Sequence, residues 1–465
     1  MATFSRFCVL YLLITYAQSF TFRNLFSSSI PETESGGDCG EPLFLTPLIE
    51  NGEIELAKQK SLVHDIFNHT EFDSYSGFLT VNKSFNSNLF FIFFKSRKQN
   101  APLLLWLQGG PGASSLFGLF VENGPFKVNK DLTLSKRRYA WTNEYSMLYI
   151  DNPVGTGFSF TKNDAGYARD QIDVARDLYN ALQQFFTLFS ELRSNDFYAT
   201  GESYAGKYVP AIAYKIHKER KTANISLKGI AIGNGLCDPE TQIDYGDFLY
   251  QVGLIDESQR QQFIRAQNKI IKYIKSGRYI DAYYIRDSLL NGFFTSPTLF
   301  FNATGLNFYY NIMLTNRPQS FEYYQQYLAL PKVRKMLHVG NLTFNKNQIV
   351  RSHLLNDLMK SVKPLISVLM DNYKTLFYNG QLDVIDTAVL TENFLRTVQW
   401  KYRDEYLTAK RRIWKVDSSD EEVAGYVRKV HNFYQVVVRR AGHMLPYDQP
   451  RVAFDLITRF VHGTL

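Results

Sequence analysis

Short apolar runs that end in Gly, Asp or Asn alternate with helical patterns along most of this chain. Such runs are typical of strands in a sheet whose neighbours are joined by crossover helices. Between two of them, apolar residues recur every three or four positions, which predicts one long helix lying on the sheet. That stripe is Ile172, Ala175, Leu178, Leu182, Phe185, Phe189 and Leu192, and the predicted strands are residues 77–81, 89–94, 103–107, 147–150, 197–200, 227–232, 375–378 and 434–438. The pattern predicts an α/β architecture.

The pattern changes between residues 238 and 360, where strand-like runs vanish and helical stretches rich in Tyr, Gln, Lys and Arg take their place. Strands resume near Tyr373. The simplest interpretation is a helical cap, residues 238–360, inserted between two parts of one core, residues 20–237 and 361–465. A chain of 465 residues is long enough to bury a core of this size.

Residues 1–19 have the pattern of a secretory signal peptide. Arg6 precedes an apolar run at residues 7–16, and Ala17-Gln-Ser19 has the small residues that signal peptidase requires. The run is about half of the ~20 apolar residues that a membrane helix needs, and no later segment is long enough, so we expect no membrane span. The sequence therefore predicts a soluble protein of the secretory pathway, either secreted or lysosomal.

Sequons and cysteines agree with export. The candidate N-glycosylation sites are Asn68, Asn82, Asn224, Asn302 and Asn341. Because Cys8 leaves with the signal peptide, only Cys39 and Cys237 could pair, and one disulfide at most is possible. The formal charge of +8 is spread over short clusters without a nucleic-acid motif, so we expect no nucleic-acid partner.

A nucleophile elbow is the first chemical signal. The apolar run 197–200 leads into Gly201-Glu-Ser-Tyr-Ala-Gly206, and a helical pattern follows. A serine on such a strand-to-helix turn stands clear of the backbone, and small neighbours make room for the bend, so Ser203 is the candidate nucleophile. Ala205 breaks the strict Gly-x-Ser-x-Gly pattern, and a serine that merely caps a helix would look similar.

Two later strand ends supply partners in the order expected of an α/β-hydrolase fold, which is nucleophile, acid and then histidine. Asp383 follows the run 375–378, and His443 follows the run 434–438. Asp386 is an alternative acid, but Asp383 comes directly after the strand and turn. A histidine between Gly442 and Pro446 on a loop after the last strand is not expected to be ordinary core filling.

A glycine turn at residues 109–112 follows the buried run 103–107. Backbone amides approach a substrate most closely where side chains are absent, so the amides of Gly110 and of Tyr204, the residue after the nucleophile, are the candidate oxyanion hole. Taken alone, this string of glycines would also suit an ordinary turn.

Taken together, these motifs resemble the serine carboxypeptidase family over nearly the whole mature chain. The motifs are Trp106-Leu-Gln-Gly-Gly-Pro-Gly112, Glu122-Asn-Gly-Pro125, Asp151-Asn-Pro-Val-Gly-Thr-Gly-Phe-Ser159, Gly201-Glu-Ser-Tyr-Ala-Gly206, Asn379-Gly-Gln-Leu-Asp383 and Gly442-His443. The residues of these motifs are most similar to those of the vitellogenic carboxypeptidase branch of animals. The resemblance implies an α/β-hydrolase fold with a mixed, mostly parallel sheet flanked by helices, acid-pH activity, and a triad of Ser203, Asp383 and His443.

The resemblance also implies a grip on the free carboxylate of the substrate, formed by Trp106, Gln108, the amide of Gly109, Glu202 and Glu122. Most relatives outside this branch have Asn where Gln108 stands, and displacing a contact by ~1 Å can cost about a hundredfold in rate. The family pairs the two glutamates, and two touching carboxyl groups do not both ionise cheaply, so one is expected to hold a proton.

The expected activity is that of a serine carboxypeptidase that acts on peptide or protein C-termini and requires no metal or organic cofactor. Two other classes stay open: an esterase or acyltransferase with the same triad, and a protective or binding protein with a silent site. The sequence also leaves open whether the chain forms a homodimer.

Overall fold

The computed structural model describes residues 37–63 and 72–465, so the predicted signal peptide and Asn68 lie outside the described residues. Its strands are β1 (Phe72–Asn82), β2 (Ser87–Ser96), β3 (Leu103–Leu107), β4 (Phe126–Val128), β5 (Leu134–Lys136), β6 (Ser146–Ile150), β7 (Phe197–Glu202), β8 (Leu227–Gly233), β9 (Lys374–Gly380), β10 (Arg412–Trp414), β11 (Gly425–Val430) and β12 (Phe433–Val438). Strands β4 and β5 form a small antiparallel pair, and the others form one sheet.

The large sheet has the order β1-β2-β6-β3-β7-β8-β9-β12-β11-β10. Its six central strands, from β6 to β12, pair in parallel, while the pairs toward both edges are antiparallel. The prediction of a mixed, mostly parallel sheet with helices between its strands is confirmed. All eight predicted strands lie inside observed ones.

The helices complete the layers around this sheet. They are α1 (Thr46–Glu50), α2 (Ile54–Ser61), α3 (Ser115–Phe117), α4 (Gln171–Leu188), α5 (Ala205–Lys218), α6 (Tyr245–Gln251), α7 (Glu257–Lys275), α8 (Tyr279–Arg286), α9 (Leu299–Thr304), α10 (Ser320–Ala329), α11 (Pro331–Met336), α12 (Asn347–His353), α13 (Lys363–Asn372), α14 (Ala388–Leu395), α15 (Arg403–Thr408), α16 (Leu445–Asp448) and α17 (Pro450–His462), with π-helical turns at Gly118–Asn123 and Asp287–Asn291 and 3-10 turns at Trp141–Asn143, Asp164–Gly166 and Ser190–Ser194.

A hydrophobic core lies on each face of the sheet. Alternate residues of β3 point to opposite faces, so that Leu105 packs in the core that contains α4 and α5, whereas Trp106 packs in the core that contains α17. Strands covered on both faces read as continuous apolar runs, which explains why β3 and its neighbours were visible in the sequence.

Helix α4 confirms the predicted long helix, but it ends at Leu188, so the predicted stripe residues Phe189 and Leu192 lie beyond it. The side chain of Asp170 caps its first turn by accepting hydrogen bonds from two backbone amides. Ile172, predicted on the buried stripe, is 77% exposed because the buried face of the helix begins at Gln171 and includes Ala175, four residues later. The side chain of Ile172 is therefore rotated about 100° away from that face.

Between β8 and β9 the described chain forms helices α6 to α13 and adds no strand to the large sheet. This is the region in which the sequence predicts a cap, and its limits at residues 238 and 360 stay a prediction. No helix in the described part of the chain is both long and apolar enough to cross a bilayer.

Cys39 and Cys237, whose pairing the sequence could not decide, do not form a disulfide. Cys39 and Cys237 are both buried free thiols. The Cys237 thiol donates to the carbonyl oxygen of Gly206, 3.2 Å away at the start of α5, while the Cys39 thiol faces the carbonyl of Gly37 at 3.7 Å. Each sulfur atom therefore lies in a different environment, which no sequence spacing could reveal.

The four sequon asparagines within the described residues lie at or near the surface. Asn224, Asn302 and Asn341 are exposed, and Asn82 is half-buried at the end of β1. Their use as glycosylation sites stays a prediction.

Candidate active site

Five neighbouring parallel strands, β3, β7, β8, β9 and β12, end at one edge of the large sheet. The residues that follow these ends include Gly109 and Gly110, Ser203, Asn234, Asp383 and His443. Parallel register is what brings groups so distant in sequence to one edge.

Ser203 occupies a tight turn between β7 and α5. Its φ of 62° is left-handed, a strained conformation for a residue with a side chain. Hydrogen bonds hold it there, because its amide donates to Gly233 at 3.0 Å and its carbonyl accepts from Leu236 at 3.1 Å. A Cβ atom on Gly201 would lie 2.5 Å from the Leu107 carbonyl oxygen, so this turn requires a glycine beside the serine.

His443 and Asp383 form a buried pair. His443 Nδ1 lies 2.8 Å from Asp383 Oδ2, and both side chains are almost fully buried. Burial by itself would lower the pKa of His443, but the charge and hydrogen bond of Asp383, helped by other carboxylates, raise it above its usual value. No hydrogen-bonding group of the described residues reaches His443 Nε2, which leaves this nitrogen available for proton transfer.

Asp383 is held in turn by two donors. Asn234 Nδ2 donates to Oδ2 at 2.6 Å, and the amide of Ile385 donates to Oδ1 at 3.0 Å. Asn234, which sequence reasoning missed, follows β8 within Gly233-Asn-Gly235 and has a φ of 44°. The one sequence signal that could have revealed it is its position directly after β8, which ends at the same sheet edge as β7 and β9.

Asp386, the alternative acid, does not contact His443. Its side-chain Oδ1 has no hydrogen-bond donor among the described residues, and the carboxyl group lines a cleft beside Ser203. Tyr204, Gly110 and Tyr310 line the same cleft, and the Tyr310 ring packs 4.8 Å from that of His443. The geometry therefore favours Asp383 as the partner of the histidine.

The glycine turn after β3 lies directly on the nucleophile elbow. A Cβ atom on Gly109 would lie 2.5 Å from the Tyr204 amide nitrogen and 2.6 Å from Ser203 Cβ, so only glycine allows this approach. Gly110 has a φ of 110°, and its carbonyl accepts a hydrogen bond from Arg351 Nη2 at 3.1 Å. The two candidate oxyanion residues, Gly110 and Tyr204, thus sit on segments in contact.

Two buried carboxyl groups meet at Gln108. The side-chain Nε2 of Gln108 donates to Glu202 at 2.7 Å and to Glu122 at 3.2 Å, while its Oε1 accepts from Trp106 Nε1 at 2.9 Å. The second oxygen of each glutamate receives no N–H or hydroxyl donor in the described residues, although the two carboxyls are in hydrogen-bonding contact. A proton held between them satisfies both.

Burial raises the pKa of Glu122 to about 7. Burial and the charge of Glu122 raise the pKa of Glu202 well above its usual value. Glu122 therefore keeps its proton through the mildly acidic range and ionises as the pH rises through about 7, and its charge then favours the protonated form of Glu202.

Arg137 supports the turn that presents Glu122, and sequence reasoning missed it. Glu122 lies on the π-helical turn Gly118–Asn123, a form that often occurs at functional sites. The guanidinium of Arg137 donates to the carbonyls of Phe120 at 2.9 Å and Gly124 at 3.0 Å. These bonds satisfy carbonyl groups at the end of the turn and fix its position.

Asp151 explains the motif at residues 151–159, to which the sequence assigned no role. Its carboxylate accepts hydrogen bonds from the Ser114 hydroxyl at 2.6 Å and from the amides of Ser115 at 3.0 Å and Phe158 at 2.9 Å. Asp151 thus ties the segment after the glycine turn to the loop after β6. Burial raises its pKa to about 7.

The chain is similar to known serine carboxypeptidases over most of its length. A family model described as serine carboxypeptidase matches residues 66–463. The probable serine carboxypeptidase CPVL of Homo sapiens is 52% identical over 449 residues, which cover 95% of this chain and 94% of the relative. The vitellogenic carboxypeptidase of Aedes aegypti is 43% identical and covers 92% of this chain and 91% of the relative.

Among solved structures, the chain is similar to Kex1Δp, a prohormone-processing carboxypeptidase from Saccharomyces cerevisiae. The TM-score is 0.76 at 25% identity, over 87% of this chain and 96% of that chain.

Proposed function

Because the chain belongs to the serine carboxypeptidase family, we propose that it removes amino acids from peptide C-termini with Ser203 as nucleophile, His443 as base and Asp383 as the orienting acid. The observation that carries the proposal is the hydrogen-bonded His443–Asp383 pair at the same sheet edge as the strained Ser203 turn. A buried carboxyl cluster beside Ser203 supports the choice of a C-terminal substrate.

In the proposed reaction, His443 Nε2 takes the proton of the Ser203 hydroxyl as its oxygen attacks the last peptide carbonyl. Asp383 keeps the proton of the imidazole on Nδ1 and stabilises the imidazolium that forms. His443 then gives its proton to the leaving amine, and the C-terminal amino acid departs. Water attacks the acyl-enzyme by the same sequence in reverse and regenerates Ser203.

The amides of Gly110 and Tyr204 are proposed to hold the oxygen that becomes negative in this step. Preorganised backbone donors of this kind contribute roughly 3–4 kcal/mol to transition-state stabilisation when aimed at the developing charge. The close approach of Gly109 to Tyr204 supports the assignment, because it sets the glycine turn against the elbow.

The grip on the substrate carboxylate is proposed to consist of Trp106, Gln108, the Gly109 amide, Glu122 and Glu202. When protonated, the glutamate pair donates a hydrogen bond to the carboxylate, whereas the doubly ionised pair repels it. Gln108 is longer than the Asn of most relatives, but its amide reaches both glutamates while it accepts from Trp106. This full set of hydrogen bonds supports a working grip.

The secretory pathway is the proposed location, either a lysosome or the extracellular space. The signal-like residues 1–19 support export, as do three exposed sequon asparagines. Acidic activity is consistent with a pair that holds its proton in mildly acidic surroundings.

Release of free amino acids from N-blocked dipeptides across pH 4 to 8 tests the proposal. We expect release that is strongest on the acidic side and absent in Ser203→Ala. The same dipeptides with a C-terminal amide are expected to react poorly, because they lack the carboxylate that the grip binds. Equal cleavage of acid and amide would contradict the carboxypeptidase assignment and favour an esterase or acyltransferase.

A further inference from the structure

The cleft beside Ser203 is lined by groups other than the side chains of the proposed carboxylate grip. Ser203, Tyr204 and Gly110 line it, whereas Trp106, Gln108, Glu122 and Glu202 do not. Under the proposed function, the C-terminal residue of the substrate lies at the grip. The cleft then receives the side chain of the penultimate residue, on the other side of the scissile bond.

Two arginines, both only 4% exposed, line this cleft. Arg286 donates to the side-chain oxygen of Asn291 at 2.9 Å and to the Tyr245 hydroxyl at 3.1 Å. Arg351 donates to the Tyr283 hydroxyl at 3.1 Å and to the Gly110 carbonyl. All of these acceptors are neutral.

No carboxylate of the described residues forms a salt bridge with either guanidinium, and the Nε atom of each lacks an acceptor there. Buried positive charge without a counter-ion is costly, and an anionic group that enters the cleft offsets the cost.

Two acidic groups, Asp287 and Asp386, lie near these arginines without forming a salt bridge with either guanidinium. The Asp287 carboxylate accepts hydrogen bonds from the backbone amides of Phe293, Phe294 and Thr295 at 2.8 to 3.1 Å. Asp386 lines the cleft, and burial raises its pKa to about 7, against the opposing influence of Arg286 and His443. In mildly acidic solution Asp386 is therefore mostly protonated and carries no charge.

We propose that this cleft selects peptides with Asp or Glu at the penultimate position, and that Arg286 and Arg351 are the specificity-determining residues. The inference rests on the proposed function. It adds a preference in the substrate that the triad and the carboxylate grip do not dictate.

Two N-blocked dipeptides of nearly equal shape, Glu-Phe and Gln-Phe, test it at pH 5.5, where the Glu side chain is mostly ionised. We expect kcat/KM to favour Glu-Phe by about tenfold to a hundredfold, the range for hydrogen bonds to a charged group. Lys-Phe is expected to be the poorest substrate. Cleavage of Gln-Phe at a rate equal to or above that of Glu-Phe overturns the inference while the proposed function stands; no cleavage of any dipeptide refutes both.

Arg286→Gln is expected to lower the Glu-to-Gln ratio toward one. Arg265→Gln is the matched control, because it removes an exposed arginine from α7 outside the cleft, and its ratio is expected to equal that of the wild type. An unchanged ratio in Arg286→Gln contradicts the assignment.

Asp386→Asn gives an independent readout should Arg286→Gln fail to fold. At pH 8 the wild-type carboxylate opposes an acidic side chain and the amide does not, so we expect the variant to prefer Glu-Phe more strongly than the wild type does. The same ratio in both proteins counts against the inference.

Discussion

The buried glutamate pair predicts how substrate binding depends on pH. With the Glu122 pKa at about 7, Glu122 carries its proton in about nine tenths of the molecules at pH 6 and in about one tenth at pH 8. Because the raised pKa means that the proton is present below pH 7 and lost above it, binding of a substrate carboxylate should weaken about tenfold between these values.

The double variant Glu122→Gln, Glu202→Gln removes both ionisable groups but keeps amide donors in their place. We expect its KM for an N-blocked dipeptide to change less than about twofold from pH 6 to pH 8, since no proton remains to be lost. Glu122→Gln alone should also alter the profile, because the charge of Glu122 is one cause of the raised pKa of Glu202.

Initial-rate kinetics at several pH values measure this directly. Glu421→Gln, at an exposed position, is a matched control that should keep the wild-type profile. Titration of His443 affects kcat in every variant, so the comparison is made on KM. A double variant that retains the tenfold rise in KM would refute the proton-sharing argument.

Three further changes give separate tests. Asp383→Asn should lower kcat about ten-thousandfold through the wrong histidine tautomer, as kinetics on a dipeptide would show, and a loss below about tenfold would exclude Asp383 as the triad acid. Gly109→Ala should lower kcat about a hundredfold, because its Cβ would collide with the Tyr204 amide, and near-normal kcat would mean that the turn does not need glycine. Lys207→Ala should cost about 3–5 kcal/mol in urea unfolding, since it leaves the buried Asp357 carboxylate without its partner at 3.0 Å; a loss below about 1 kcal/mol would show that water replaces the lysine.

The sequence predicted the central strands because burial on both faces leaves an unbroken apolar run. It missed β4, β5, β10 and β11, of which β5 and β10 are three residues long and contain at most one buried residue each. Such strands are set by their partners and carry little pattern of their own.

The positions of Ser203, Asp383 and His443 at one sheet edge could be predicted because each residue follows a strand. The groups that hold Asp383 and the turn of Glu122 in place could not. Asn234 and Arg137 act through hydrogen bonds to segments that are adjacent only after folding, and neither lies in a distinctive motif. The placement of Arg286 and Arg351 around the cleft likewise depends on how the helices after β8 pack.

Peptide mapping after reaction with a fluorophosphonate probe tests the central claim most directly. The account predicts one covalent adduct, on Ser203, that is abolished in Ser203→Ala and greatly slowed when His443 is replaced by Ala. An adduct on another residue, or none on a folded protein, would contradict it.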